Sequence, residues 1–412
     1  MIKREELGKI YCTKDIDSYE NRIQNLIKNF KNTFKNENEI SLFSAPGRTE
    51  IGGNHTDHQH GCVLAASVNL DVIAAASLNG TNKIRVQSEG YPLDVVNINE
   101  LSPDKSEYNQ AKALIRGVCA KFKELGCEIK GFDCYTTSNV LKGSGLSSSA
   151  AFEVLIGNVI NGLFFENKIS DVEIAKIGQY AENVYFGKPC GLMDQMASSV
   201  GGIISIDFND TENPIIKKVD FDFTKTGYAL CIIDSGADHA DLTDEYAAIP
   251  YEMKKIAEYF NKEYLRDVNK EEFIKAIPQL RKLAGDRAVL RALHFFNENK
   301  RAIEEAEALE NGDFDKFLKI VKESGYSSYM YLQNVCVCGL SKEQAVGIVL
   351  AMCDELLKDK GAYRVHGGGF AGTVQAFVPQ EILDNFKENI EKIVGKNNCH
   401  ILSIRPVGGI KL

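Results

Sequence analysis

The run Gly143-Ser144-Gly145-Leu146-Ser147-Ser148-Ser149-Ala150-Ala151 constrains the fold more than any other stretch of this 412-residue chain. It follows a strand-like alternation at 131–137 and opens a segment, 149–165, rich in Ala, Val, Leu and Ile. Glycine permits a tight turn, and the free N–H groups and dipole at a helix start favour an anion. A strand, a glycine turn and a buried helix are therefore predicted in succession, with a phosphate cradle at the junction. Taken alone, the run reads equally as a serine-capped helix after a turn. The order G-x-x-x-x-G-K-[ST] is met neither here nor elsewhere, which excludes a P-loop NTPase.

Two further glycine loops flank it in the sequence. Ala45-Pro46-Gly47-Arg48 leads into Gly52-Gly53-Asn54-His55-Thr56-Asp57-His58-Gln59-His60-Gly61, a polar loop before the apolar run Val63-Leu64-Ala65-Ala66. A metal site is one reading of His55, Asp57, His58 and His60. Consecutive loop residues diverge, however, and no distant ligand cluster completes the set. Gly367-Gly368-Gly369-Phe370-Ala371-Gly372-Thr373 lets backbone approach a ligand closely and reads equally as a flexible turn.

Around these loops, periodicity predicts helices at 17–36 and 109–126 and strands at 41–45, 72–78, 84–86, 203–208, 228–234 and 373–378, with mostly helical, highly charged sequence over 244–309. This is α+β organisation with a boundary near 205–225. A hydrophobic content of 44% supports a large core, and the length suggests two domains. Forty-eight Lys+Arg against 57 Asp+Glu leave a charge of −9, the wrong sign for a nucleic-acid partner, so any phosphate must be held locally. Eleven scattered cysteines without zinc-site spacing fit a reduced, cytoplasmic interior. No secretory signal is expected from the charged N-terminus, and the apolar stretch 63–78, broken by Asn69 and Asp71, does not predict a membrane span.

In this order, the three loops resemble the signature motifs of the GHMP kinases, named for galactokinase, homoserine kinase, mevalonate kinase and phosphomevalonate kinase. Pro46-Gly47-Arg48 through His55-Thr56-Asp57 is similar to the galactokinase string P-G-R-V-N-L-I-G-E-H-T-D-Y. Ala181-Glu182-Asn183 … Cys190-Gly191-Leu192-Met193-Asp194-Gln195 is similar to A-E-N … C-G-I-M-D-Q, and further likeness falls at Asp244-Glu245-Tyr246 and over 287–313. The resemblance implies a ribosomal protein S5 domain 2-like N-terminal domain (1–210) and a ferredoxin-like C-terminal domain (211–412), with ATP and Mg2+ used between them. It implies that Gly143, Ser144, Gly145, Leu146, Ser147, Ser148 and Ser149 bind ATP phosphates, with Ser88 a weaker nucleotide contact. Ser149 and Glu182 would hold magnesium, Asp194 would be the base, and Arg48 would stand beside it. Asn54, His55, Thr56, Asp57, Gly191 and Tyr246 would line the sugar pocket.

The implied chemistry is coherent: γ-phosphoryl transfer needs in-line positioning and charge neutralisation, and a carboxylate can take the proton of a sugar hydroxyl. Several positions depart from the family pattern. Asn54 stands where galactokinases carry Glu, expected to accept a hydrogen bond from a sugar hydroxyl remote from C1, and His58 stands where they carry Tyr. His366 replaces Thr or Ser, Gly325-Tyr326 replaces Ser-His, and Asp238 replaces a frequent basic residue. A pocket that had lost the Glu charge would better tolerate a uronic acid. The expectation is an ATP-dependent galactose 1-kinase, monomeric or weakly oligomeric, with no nucleic-acid or membrane partner. A galacturonate 1-kinase, a non-catalytic sugar and nucleotide sensor, and a metal hydrolase built on the histidine loop are the alternatives.

Overall fold

The computed structural model describes residues 3–13, 15–141, 145–237, 242–337, 339, 342–370 and 372–412. In its N-terminal half, helices α1 (Arg4–Tyr11) and α2 (Ile16–Phe34) precede β1 (Ser41–Gly52), β2 (Cys62–Leu78), β3 (Lys83–Ser88), β4 (Leu93–Asn97), α3 (Ala111–Glu124), β5 (Phe132–Ser138), α4 (Ser148–Phe164), α5 (Asp171–Tyr180), α6 (Met193–Val200), β6 (Ile203–Asp207) and β7 (Ile215–Val219). There follow β8 (Tyr228–Asp234), α7 (Thr243–Tyr259), α8 (Lys270–Ala284), α9 (Asp286–Glu310), α10 (Phe314–Ser327), α11 (Ala345–Leu357), β9 (Ala362–His366), β10 (Thr373–Pro379), α12 (Leu383–Val394), β11 (Cys399–Leu402) and β12 (Ile410–Lys411).

Two sheets organise the chain. The larger runs β12-β1-β2-β5-β3-β4, with β6 and β7 attached beside β2, and the smaller runs β11-β8-β10-β9. The chain leaves the first sheet at Val219 and enters the second at Tyr228, and its tail returns to pair Phe43 with Lys411. This is the mixed α+β arrangement expected. Helix α4, apolar on all sides, buries Val154, Leu155, Ile156, Val159 and Ile160 in the core of the larger sheet, as a helix without a polar face must. A separate core joins Ile249, Phe273 and Phe295 of α7, α8 and α9.

The short strands anticipated at 41–45 and 72–78 are parts of much longer ones. β2 runs 17 residues because its first part pairs with β6 and its last with β5, so Asn69 and Asp71 sit at the handover instead of ending the strand. Asp71 is fully buried there. It accepts hydrogen bonds from Tyr11 Oη at 2.6 Å and from Ser44, and pairs with Arg22 and, at 3.1 Å, with Arg405. The tail therefore bonds to the sheet through charge as well as strand pairing. Burial works against the Asp71 carboxylate, yet the two arginines hold its pKa below the usual range. Among the described residues no helix is long and apolar enough to cross a membrane.

Asp71→Asn removes the charge shared by the buried Arg405 and the half-buried Arg22. Stability is expected to fall by about 3–5 kcal/mol, measured by urea unfolding, because buried charges left unpaired are costly.

Candidate active site

β1 carries the central pair. The register shifts between Pro46 and Arg48, and at this irregularity the Arg48 N–H donates to Leu146 O at 3.0 Å. A Cβ on Gly47 would lie 2.9 Å from that same carbonyl, so the close approach favours glycine. Arg48 also donates to Gly145 O through Nη1, which joins the described part of the glycine–serine loop to β1 twice. Its remaining donors grip Asp194: Nε to Oδ1 at 2.6 Å and Nη2 to Oδ2 at 2.7 Å. Asp194 lies in the first turn of α6, where a helix start suits a carboxylate. Arg48 is 9% exposed at its side chain and Asp194 30%, so the carboxylate is the member open to a ligand. Burial pushes the Asp194 pKa up, but Arg48 and a hydrogen bond from Ser147 outweigh it and hold the group below its usual value. Ser147 caps α4 in the left-handed conformation, φ 52°.

The loop after β1 is tied at both ends. Glu298 Oε1 on α9 accepts from the Gly53 and Asn54 N–H groups, each at 3.3 Å, and from Ser324 Oγ at 2.5 Å. Burial opposes its charge, yet Arg301 and its other partners hold the Glu298 pKa at about 2. His294 Nε2 faces Asn54 O at 3.0 Å and must donate, since a carbonyl only accepts. Thr56 Oγ1 lies 2.9 Å from Gly53 O and 2.6 Å from Cys62 O, so Thr56 closes the loop on itself. Asn54 is wholly buried. Its Nδ2 donates to Glu50 Oε1 at 3.0 Å and Gly367 O at 2.7 Å, while its Oδ1 accepts from Asn334 Nδ2 at 2.9 Å and Ser328 Oγ at 3.3 Å.

His55 donates from Nε2 to Gly368 O at 3.1 Å, which leaves Nδ1 a buried acceptor with no partner among the described residues. Burial, followed by the charge of His58, lowers the His55 pKa to about 4, so the ring is neutral at pH 7. Asp57 faces Gly191, where a Cβ would come within 2.8 Å of Oδ2, and both border a cavity of about 320 Å³. Tyr246 packs over Gly368 and donates its hydroxyl to Gly369 O at 3.0 Å. The first and third glycine loops thus meet face to face. The histidines of the first do not converge: His60 stacks on Tyr264 at 3.6 Å, while His55 lies 5.7 Å from His58. Among the described residues no group of three His, Cys, Asp or Glu side chains is placed to hold a metal ion.

Glu182 falls in a π-helical turn, Ala181–Phe186, a local widening common at functional sites. Gln195 Nε2 donates to Glu182 Oε2 and Glu153 Oε2, each at 2.9 Å, and Lys188 Nζ lies 3.6 Å from Glu182 Oε1. Ser148 and Ser149 open α4. Ser88 stands apart. Its hydroxyl accepts from Thr136 at the end of β3, three strand spacings from β1, about 14 Å. Gly143, Ser144 and Asp238 lie outside the described residues. Sequence reasoning did not single out Glu298, His294 or Arg364. The likeness over 287–313 marked the helix without its roles, and Glu50 was legible as a departure from the quoted string.

An arginine–aspartate pair fixed between a glycine loop and a polar loop, on this pair of sheets, defines a small-molecule kinase of the GHMP class. The family model "GHMP kinases N terminal domain" matches residues 111–202, and the "Galactokinase galactose-binding signature" matches residues 28–78. A galactokinase of Actinobacillus pleuropneumoniae is 32% identical over 371 residues, covering 87% of this chain and 91% of that protein. One of Glaesserella parasuis serovar 5 (strain SH0165) is 32% identical over 381 residues, covering 89% and 91%. The crystal structure of Lactococcus lactis galactokinase complexed with galactose shares the fold at a TM-score of 0.81 and 24% identity, covering 95% of this chain and 100% of that one. A mevalonate kinase structure shares it at 0.61 and 17% identity, covering 88% and 99%. The chain belongs to the galactokinase family of GHMP kinases and is a phosphotransferase.

The buried histidines set a pH dependence. Burial lowers the pKa of His55, His294 and His366, so the unfolded chain binds more protons than the folded one below about 6.5. Their stabilisation is complete above that pH and is lost as pH falls below it; for His55 the loss runs down to about 4 and is on the order of 3 kcal/mol. Urea unfolding at pH 7.5 and 4.5 should show the drop, and His55→Gln should reduce it.

Proposed function

We propose that this protein transfers the γ-phosphoryl group of ATP to the anomeric hydroxyl of galactose, giving galactose 1-phosphate and ADP. The observation that carries the reading is the Arg48–Asp194 pair, bonded to the glycine–serine loop through Gly145 O and part-exposed on the Asp194 side. Asp194 accepts the hydroxyl proton as the oxygen attacks phosphorus. Because Arg48 holds its carboxyl acidic, the proton moves together with formation of the P–O bond and not ahead of it. Arg48 also places positive charge where negative charge develops. The Nδ1 acceptor of His55 and the Asp57 carboxylate are the groups offered to other sugar hydroxyls. Asn54 and Thr56 support the loop that presents them.

The donor set fits magnesium. Glu182 is a buried carboxylate, Ser149 supplies a hydroxyl at the start of α4, and buried oxygens of Glu153 and Gln195 beside Glu182 lack partners among the described residues. Hard oxygen ligands with room for phosphate oxygens are what Mg2+ takes, and when bound it supplies neutralising charge to the β- and γ-phosphates. Ser147 and Ser148 hold hydroxyls at the same helix start, where an anion is favoured. The two sheets correspond in this reading to an N-terminal and a C-terminal domain with a seam near 205–225. A cytoplasmic enzyme, monomeric or weakly oligomeric, suits the reduced cysteines and the acidic charge.

Coupled ADP release over galactose, galacturonate, N-acetylgalactosamine and L-arabinose should show galactose turned over best. Asp194→Asn should lower kcat by about 10²–10⁴-fold with nucleotide affinity retained. Unchanged turnover in this variant would remove Asp194 from the chemistry.

A further inference from the structure

The string P-G-R-V-N-L-I-G-E-H-T-D-Y has Asn at the position of Glu50 and Glu at the position of Asn54. This chain carries the same two side chains in the opposite order, and they touch: Asn54 Nδ2 donates to Glu50 Oε1 at 3.0 Å. Glu50 is buried and ion-paired with Arg364 Nη2. Arg364, wholly buried, also donates from Nη1 to Ile51 O at 2.6 Å, which fixes its guanidinium under the loop.

Neighbouring departures make room for this arrangement. A Cβ at Gly325, where many members show Ser, would already lie 2.9 Å from Tyr363 O and 3.2 Å from Arg364 Cβ. At Gly52, where the string has Ile, a Cβ would fall 1.6 Å from Glu305 Oε2. The buried Glu305 carboxyl therefore occupies the space that a side chain at 52 would take. A carboxylate and two glycines thus depart from the pattern together, at one place, around the buried Arg364.

We infer that Glu50 and Asn54 are a reciprocally exchanged pair that acts as one specificity-determining unit. Glu50 is a positioning residue. It orients the Asn54 amide, whose second N–H holds Gly367 O and whose oxygen holds Asn334, so that the first and third glycine loops are locked together at the sugar end. The negative charge missing from position 54 is retained at position 50 and balanced by Arg364, so that Arg364 has no free charge to offer a sugar carboxylate. The substrate class is therefore a neutral galactose-configured sugar and not a uronate. This rests on the sugar-kinase reading above.

The test is a double-mutant cycle on the full chain. Glu50→Asn leaves Arg364 buried without its carboxylate, and Asn54→Glu sets two carboxylates against one arginine. Each single change is expected to raise the KM for galactose by about tenfold or more while the KM for ATP moves less than about twofold. The combination Glu50→Asn with Asn54→Glu restores the order of the string and is expected to return the galactose KM to within about threefold of the parent. Should Glu50→Asn fail to fold, Glu50→Gln with Asn54→Glu makes the same comparison at constant volume. A double variant worse than either single, or Asn54→Glu alone matching the parent, overturns the exchange. If the parent turns over no sugar, the kinase reading fails instead. The exchange is then judged by thermal midpoints: a double variant above both singles supports it, and additive losses overturn it.

Discussion

The bidentate contact between Arg48 and Asp194 is the constraint on which the rest of the site depends. It spans from strand β1 to the first turn of α6, and its third arm reaches the glycine–serine loop at Gly145. A guanidinium so held has one orientation, because its planar donors match a carboxylate on one edge and a carbonyl on another. The strand that carries it continues through Glu50 into the loop of His55 and Asp57. Both loops are therefore set by one stretch of backbone. A strand of the main sheet is a rigid mount for groups that must be placed to within fractions of an ångström.

How much of this was legible beforehand differs from element to element. The apolar helix after the serine run was plain, because a segment with no polar face has one destination. β8 was readable to its ends, an apolar run closed by Asp234. β2 was not, since its alternation breaks at Asn69 and Asp71, and only the three-dimensional neighbours Arg22 and Arg405 explain a charge inside a strand. Asp194 and Arg48 were marked by their strings, but their ion pair joins positions 146 residues apart. Asn54 was expected to line the pocket; its side chain makes four buried hydrogen bonds, with Glu50 on the strand just before it and with Asn334, Ser328 and Gly367 arriving from distant segments.

The acidic net charge and the handling of a polyphosphate are reconciled locally. Backbone N–H groups at the start of α4 and the Arg48 guanidinium concentrate positive potential within a chain whose overall charge is −9. Beneath the first loop the opposite problem is solved the same way. Glu50 and Glu298 are buried against Arg364 and Arg301, so the floor of the site is charged in its parts and nearly balanced in sum. Buried pairs of this kind add little net stability but fix geometry, since each partner is costly to leave alone.

The central claim is that the Arg48–Asp194 pair directs the γ-phosphoryl group to the anomeric oxygen. Phosphorus and carbon NMR on galactose labelled at C1, incubated with the protein and MgATP, reads the bond formed. The account predicts carbon–phosphorus coupling at C1 and its loss in Asp194→Asn. Phosphate appearing on another carbon, or an unchanged C1 signal in that variant, would contradict it.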